Sequence, residues 1–232
     1  MKDPLLTHAG VPTTAGFVLA GGQSSRMGAD KALALFHGVP LIQIAVESLV
    51  SAEISARIAG SRSALGSFTP VVPDTIRDRG PLAGVHAALA VSQADWNLFL
   101  PVDLPLMPAS LLACLIQRAI LSSSPITVPQ LNGRLQPFPA VLHRSVLPIL
   151  EDLLQNGESA CHIAWRLIPA RLGGALDAPA VENLVQCGQC AHPAGLPPAL
   201  WFLSANTPAD LAYLHHFPHL PSRRPISSNL FL

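Results

Sequence analysis

Short apolar runs recur along the first two thirds of the chain, at GFVLA (16–20), ISARIAG (54–60), FTPVVPD (68–74), WNLFLPVD (96–103), PITVPQ (125–130) and PAVLH (139–143). Each is rich in β-branched or aromatic residues and is bounded by breakers, so each predicts a strand. Between them, helical spacing runs through 40–52, 81–93, 108–123 and 145–157, and several of these segments carry proline near the start, where its fixed φ suits a first turn. Alternating strand and helix predicts βαβ units. The segments read as mainly apolar runs rather than strict alternation, as in a parallel sheet buried on both faces. The NGR turn at 132–134 joins two strands too closely for a helical crossover and predicts a local antiparallel hairpin. The expected fold is therefore α/β: a three-layer α/β/α sandwich around a mixed, mostly parallel sheet.

Beyond 157 the pattern weakens. Residues 173–199 are rich in Gly, Pro and Ala without a firm period, and read as an irregular insertion. WFLSA (201–205) predicts a short strand, and 206–217 predicts a helix with Asn206 or Thr207 as cap and Pro208 at its first position. The expected organisation is an extension over 1–14, one domain over 15–217 and a tail over 218–232.

Composition narrows the classes of function. Half of the 232 residues are hydrophobic, enough for one well-buried core. Fourteen basic residues balance fourteen acidic ones, so no broad field points to nucleic acid or an anionic membrane, and any bound anion needs a local site. No apolar run reaches the roughly 18 residues of a membrane span, and the first residues lack a long apolar signal segment. Four cysteines are too few for a disulfide framework, which fits a reducing, cytoplasmic setting.

The candidate chemistry lies at strand ends, where ligands of such sheets collect. After the first strand comes LAGGQSSRMGADKALA (19–34). Its glycines let backbone N–H groups approach an anion, and Ser24, Ser25, Arg26 and Lys31 add donors and charge. It matches neither the P-loop nor the dinucleotide fingerprint. A second strand ends at Asp74, followed by RDRGPLAG (77–84), where Gly80, Pro81 and Gly84 open a helix. A third ends at Asp103 within LPVDLPLMP. An aspartate at a sheet edge beside a phosphate loop suits Mg2+, which takes one or two carboxylates plus substrate phosphates. Taken singly, Asp74 and Asp103 read as turn or cap residues and Arg26 as a solvated charge; together they read as a nucleotide site.

LAGGQSSRMGADKALA, DRGPLAG, LPVDLPLMP, QPFPAVLHR and NTPADL, spanning residues 15–216, together resemble the molybdenum cofactor guanylyltransferases. The resemblance implies a Rossmann-like nucleotidyltransferase fold, GTP and molybdenum cofactor (molybdopterin) as substrates and Mg2+ as cofactor, with molybdoenzymes or other cofactor-biosynthesis proteins as partners. It also implies roles. Leu19, Ala20, Gly21 and Gly22 would line the base and ribose, Lys31 would reach the phosphates with Arg26 assisting, Asp74 would lie beside the nucleoside, and Asp103 would bind Mg2+. Gly80, Pro81, Gly84 and Asn206 are further candidates for substrate contact. The family often has an asparagine after its second strand; here Gly60 or Ser61 stands in that place. The alternatives are cytidylyl transfer to molybdopterin, nucleotidyl transfer to another small phosphate, or a non-catalytic relative that delivers nucleotide or cofactor.

QPFPAVLHR (136–144) reads first as a core strand with an edge hairpin and second as an acceptor wall. Cys187 and Cys190 form a C-x2-C pair near His192, with Cys161 and His162 upstream. A structural zinc site normally shows a second, tighter ligand pair, so incidental cysteines in a variable loop are the reading adopted. The histidines of 215–220 end a helix, where they suit the dipole without a metal.

Overall fold

The computed structural model describes residues 11–21, 30–74, 76 and 80–218. In chain order the strands are β1 (Thr14–Leu19), β2 (Leu35–Phe36), β3 (Val39–Pro40), β4 (Ala56–Ala59), β5 (Val71–Val72), β6 (Trp96–Pro101), β7 (Ile126–Thr127), β8 (Gln130–Leu131), β9 (Arg134–Leu135) and β10 (Ala140–His143). The helices are α1 (Leu41–Ser51), α2 (Gly80–Val91), α3 (Ala109–Ser122), α4 (Leu147–Gln155), α5 (Cys161–Arg171), α6 (Val181–Gln186), α7 (Pro198–Trp201) and α8 (Pro208–Leu214).

Six strands form one sheet in the order β5-β4-β1-β6-β10-β7. The first four are parallel and β10 runs antiparallel to both its neighbours, so the sheet is mixed as expected. Successive side chains of a strand point to opposite faces, and the core divides accordingly. Val18, Ile58, Leu98 and Leu100 pack with Leu41, Leu49, Leu111 and Leu115 of α1 and α3 on one face. Phe17, Leu19, Ala59 and Phe99 pack with Leu82 and Val85 of α2, Leu150 of α4 and Trp165 of α5 on the other. Three layers result. Phe17 and Phe99, partners in register, stack at 5.5 Å between ring centroids. At the start of β1, Asp95 accepts from the backbone N–H and hydroxyl of Thr13, both at 2.9 Å, which pins the register of β1 on β6.

Several elements depart from the sequence pattern for identifiable reasons. A two-residue hairpin, β2–β3, turns on His37 and Gly38, both at positive φ, the geometry of a tight hairpin turn. WFLSA is not a strand: Pro198 opens the short helix α7, and Trp201 is buried with its indole N–H donating to Leu196 O at 2.8 Å. Thr207, rather than Asn206, caps α8 in a capping box with Asp210. The stretch 173–199 contains α6 and lies along the sheet edge. There Val128 N–H donates to Asp177 O and Gln130 N–H to Pro179 O, while Arg118 of α3 grips the Asp177 carboxylate through two bonds of 2.7 and 2.8 Å. Among the described residues no helix is long and apolar enough to cross a membrane.

Candidate functional site

The chain runs from β1 to β4 on one side and returns from β5 to β6 on the other. The carboxyl ends of β1 and β6 therefore form a topological switch point, where helices diverge and leave a crevice. Backbone bonds mark where the strands stop. Val102 N–H donates to Leu19 O at 3.2 Å, Ala20 N–H to Ala59 O at 3.0 Å and Gly60 N–H to Val72 O at 2.9 Å. Past that line the chain leaves the sheet at Gly21, Ser61, Pro73 and Val102. The cleft above it has a volume of about 1230 Å3.

Nine of the residues singled out from the sequence line this cleft: Leu19, Ala20, Gly21, Lys31, Asp74, Gly80, Pro81, Gly84 and Asp103. Gly22 and Arg26 lie outside the described residues. Asn206 comes to the site through Lys31. The ammonium of Lys31 donates to Asp103 Oδ2 at 2.7 Å and to Asn206 Oδ1 at 2.6 Å, uniting groups from three distant parts of the chain. Asp30 presents the lysine, because its carboxylate caps the short helical turn Lys31–Leu33 by accepting from Ala32 N–H at 3.0 Å. The same carboxylate pairs with Arg62.

Asp74 sits between two glycines. A Cβ on Gly21 would lie 3.2 Å from its Oδ2, and one on Gly84 would lie 3.4 Å from its Oδ1 and 3.3 Å from Leu19 Cδ2. Glycines from LAGG and GPLAG thus make room for one carboxyl group. Among the described residues, Asp74 Oδ1 is buried without a hydrogen-bond partner, and desolvation raises the Asp74 pKa above the ordinary carboxylate value. Such a group stabilises the fold fully only below its unfolded pKa, about 3.9, and that contribution is lost as pH rises through the higher folded value. At neutral pH the ionised carboxylate is a net burden on the fold. Asp74→Asn, which removes the desolvated charge, is therefore expected to gain about 1 kcal/mol at pH 7, a modest figure because Asp74 is partly exposed. That is a rise in Tm of roughly 2–4 °C for a domain of this size. Thermal melts at pH 7 and pH 4 check this, since the gain should shrink at the lower pH.

Gly60 needs no Cβ for a different reason. One there would lie 3.1 Å from the carbonyl carbon of Ala20 and 3.2 Å from Gly21 N, so the exit of β4 packs directly on the exit of β1. Of Gly60 and Ser61, the two residues where the resemblance implies an asparagine, Ser61 lines the cleft.

The sequence reading missed Arg62, Phe202 and Ser204, which also line the cleft. Nothing near Arg62 signals it beyond its place after a strand, whereas Asp30, immediately before Lys31, carries the ordinary signature of a cap. The stretch 136–144 divides between the core and the cleft. Ala140–His143 is core strand β10, and Gln136, Pro137 and Phe138 form a cleft wall. Trp165 supports that wall from beneath, its indole N–H donating to Pro137 O at 2.9 Å and its ring edge-on to Phe138 at 6.0 Å.

The donors facing the cleft are hard oxygens and cations. Asp103, with a side chain 17% exposed, suits a hard cation whose remaining ligands come from substrate and water. Among the described residues no three His, Cys, Asp or Glu side chains cluster as a metal cage. The buried thiols are poor nucleophiles, since desolvation pushes Cys161 up to about 12 and Cys190 up to about 11.

The model of the MobA-like NTP transferase domain matches residues 16–171. A molybdenum cofactor guanylyltransferase of Vibrio cholerae serotype O1 is 36% identical over 177 residues, covering 69% of this chain and 87% of that protein. A probable molybdenum cofactor guanylyltransferase of Deinococcus radiodurans is 32% identical over 204 residues, 88% of this chain and 94% of its own. Among solved structures, molybdopterin-guanine dinucleotide biosynthesis protein A of Archaeoglobus fulgidus superposes with a TM-score of 0.69 at 19% identity, over 87% of this chain and 97% of that one. That likeness speaks for the fold. With a family match over two thirds of its length, laid on a sheet whose switch point gathers Lys31, Asp74 and Asp103, this chain belongs to the MobA-like NTP transferases.

Proposed function

We propose that the protein transfers GMP from GTP to the terminal phosphate of molybdopterin, giving a guanine dinucleotide cofactor and pyrophosphate. The observation that carries this reading is the contact of Lys31 with Asp103 at the switch point, two residues 72 positions apart in a chain related to guanylyltransferases. An acceptor phosphate oxygen attacks the α-phosphorus, a new P–O bond forms, and the bond to the β-phosphate oxygen breaks. The second pKa of a phosphate monoester is about 6, so the attacking group is already ionised near neutral pH and no general base is required.

The work left to the protein is to align two polyanions and offset their charge. Lys31 places an ammonium over the phosphates, and Arg62 supplies a second cation on the same rim. Asp103 would hold Mg2+, which when bound would supply positive charge to offset the negative charge developing on the transferred phosphate. The nucleoside would rest on Leu19, Ala20 and Gly21. The Asp74 carboxyl group, at the cleft wall, favours guanine, because it accepts hydrogen bonds and the guanine edge offers both a ring N–H and an exocyclic amine. Gln136, Pro137, Phe138 and Phe202 would receive the flat acceptor.

The test is turnover of purified protein with molybdopterin, Mg2+ and each nucleoside triphosphate in turn, following pyrophosphate release. GTP is expected to be used at least tenfold better than CTP, the discrimination of about 1.4 kcal/mol that one extra satisfied hydrogen bond supplies. Turnover with CTP and none with GTP would overturn the guanine assignment. GTP binding without any turnover would favour a carrier role.

A further inference from the structure

Asn206 has a second use in the site besides contact with a substrate. Its position is set by a chain of bonds. Asp210 Oδ2 accepts from Asn206 N–H at 3.1 Å and from Thr207 N–H at 2.8 Å, and Asp210 N–H donates back to Thr207 Oγ1 at 3.1 Å. On the other side, Ala205 N–H donates to the Asp103 carbonyl at 2.9 Å, which ties this segment to the residue beside Lys31. The far ends of the same elements also meet. Beyond the Lys31 turn, the β2–β3 hairpin packs on the end of α8, with His37 Nε2 2.8 Å from Phe217 O and the Phe36 and His215 rings 5.4 Å apart. The turn that presents Lys31 and the helix start that presents Asn206 are thus joined at both ends.

From this we infer that Asn206 is a positioning residue for Lys31, fixed by the Thr207–Asp210 capping box, and that it holds the ammonium without neutralising it. The inference rests on the nucleotidyl-transfer reading for its purpose and on the bonds above for its geometry. The two holders described above, Asp103 and Asn206, differ in charge. Asp103 is an anion, and its pairing with Lys31 competes with every phosphate and cation that enters. Asn206 offers a neutral amide oxygen at 2.6 Å, which holds the ammonium at the cleft without itself cancelling any of the charge offered to the polyphosphate. A carboxylate of the same shape would keep the hydrogen bond and cancel that charge.

The decisive experiment compares wild type with Asn206→Asp by titration calorimetry with inorganic tripolyphosphate, which needs neither acceptor nor turnover. The isosteric carboxylate is expected to weaken binding about tenfold, as a unit charge near a partly exposed ammonium does after screening, with no loss in Tm. Asp210→Asn, which weakens the cap that sets Asn206, is expected to weaken tripolyphosphate binding less, about threefold, and it serves if the first variant fails to fold. In steady-state assays both variants should lower kcat or raise the KM for nucleotide while sparing the KM for acceptor. Equal tripolyphosphate affinity in wild type and variants, or no binding by the wild type, overturns the inference. A change confined to the acceptor KM does the same and makes Asn206 an acceptor contact. Because tripolyphosphate binding is independent of the base and the acceptor, a failure of the guanylyl-transfer reading appears separately, as binding without turnover.

Discussion

Replacement of Asp103 by asparagine is expected to lower turnover about 1000-fold, the scale seen when a preorganised charged group at a reacting centre is removed. Two losses combine. The hard anionic oxygen proposed to hold Mg2+ becomes a neutral amide, and Lys31 loses its 2.7 Å anionic partner. The fold should survive, because the backbone bonds around residue 103 remain: Ala205 N–H donates to the carbonyl of Asp103, and Val102 N–H to that of Leu19. Steady-state rates with GTP, molybdopterin and Mg2+, beside a thermal melt, check the prediction. Near-wild-type turnover would remove Asp103 from the mechanism, while a large fall in Tm would reassign it to the scaffold.

The largest effect on stability is expected from Trp165→Ala, a loss of about 3–5 kcal/mol. Trp165 is 1% exposed and belongs to the core face built from α2, α4 and α5. Its removal leaves a cavity among Phe138, Leu154 and Ile168 and strands the carbonyl of Pro137, which now accepts from the indole N–H. Chemical denaturation measures the stability. Since Pro137 and Phe138 are cleft residues, the same variant should also raise the KM for acceptor at temperatures where it remains folded. A loss below 1 kcal/mol would mean that the α5 layer is packed loosely enough to close over the gap.

What could be read from the sequence follows from which interactions are local. β1 and β6 are mainly apolar, with Asn97 the buried exception in β6, because both their faces are covered, and that pattern is visible without a structure. The cleft glycines Gly21, Gly80 and Gly84, with Asp74 and Asp103, are visible too, because parallel strands bring their ends to one edge whatever their order. Other features depend on partners far away in the chain. Arg62 has meaning only once Asp30 is beside it, and Asn206 looks like a cap until Lys31 is found on its side-chain oxygen. WFLSA has a strand's composition, yet its tryptophan is drawn into the core and the preceding prolines start a helix instead. α5 is masked by Pro169 within it, a residue that costs an interior hydrogen bond but is tolerated near the helix end. α6 has only six residues, too few for a period to emerge.

The placement of residues 177–180 reaches beyond the catalytic edge. An unpaired edge strand invites another chain to pair with it. Here β7 and the start of β8 are already paired on their outer side, through the bonds from Val128 and Gln130 to Asp177 and Pro179, and Arg118 anchors this covering segment to α3. The Gly- and Pro-rich stretch thus acts as a built-in guard against intermolecular sheet extension on that flank, and a nick there would expose an adhesive border while leaving the cleft at the ends of β1 and β6 intact.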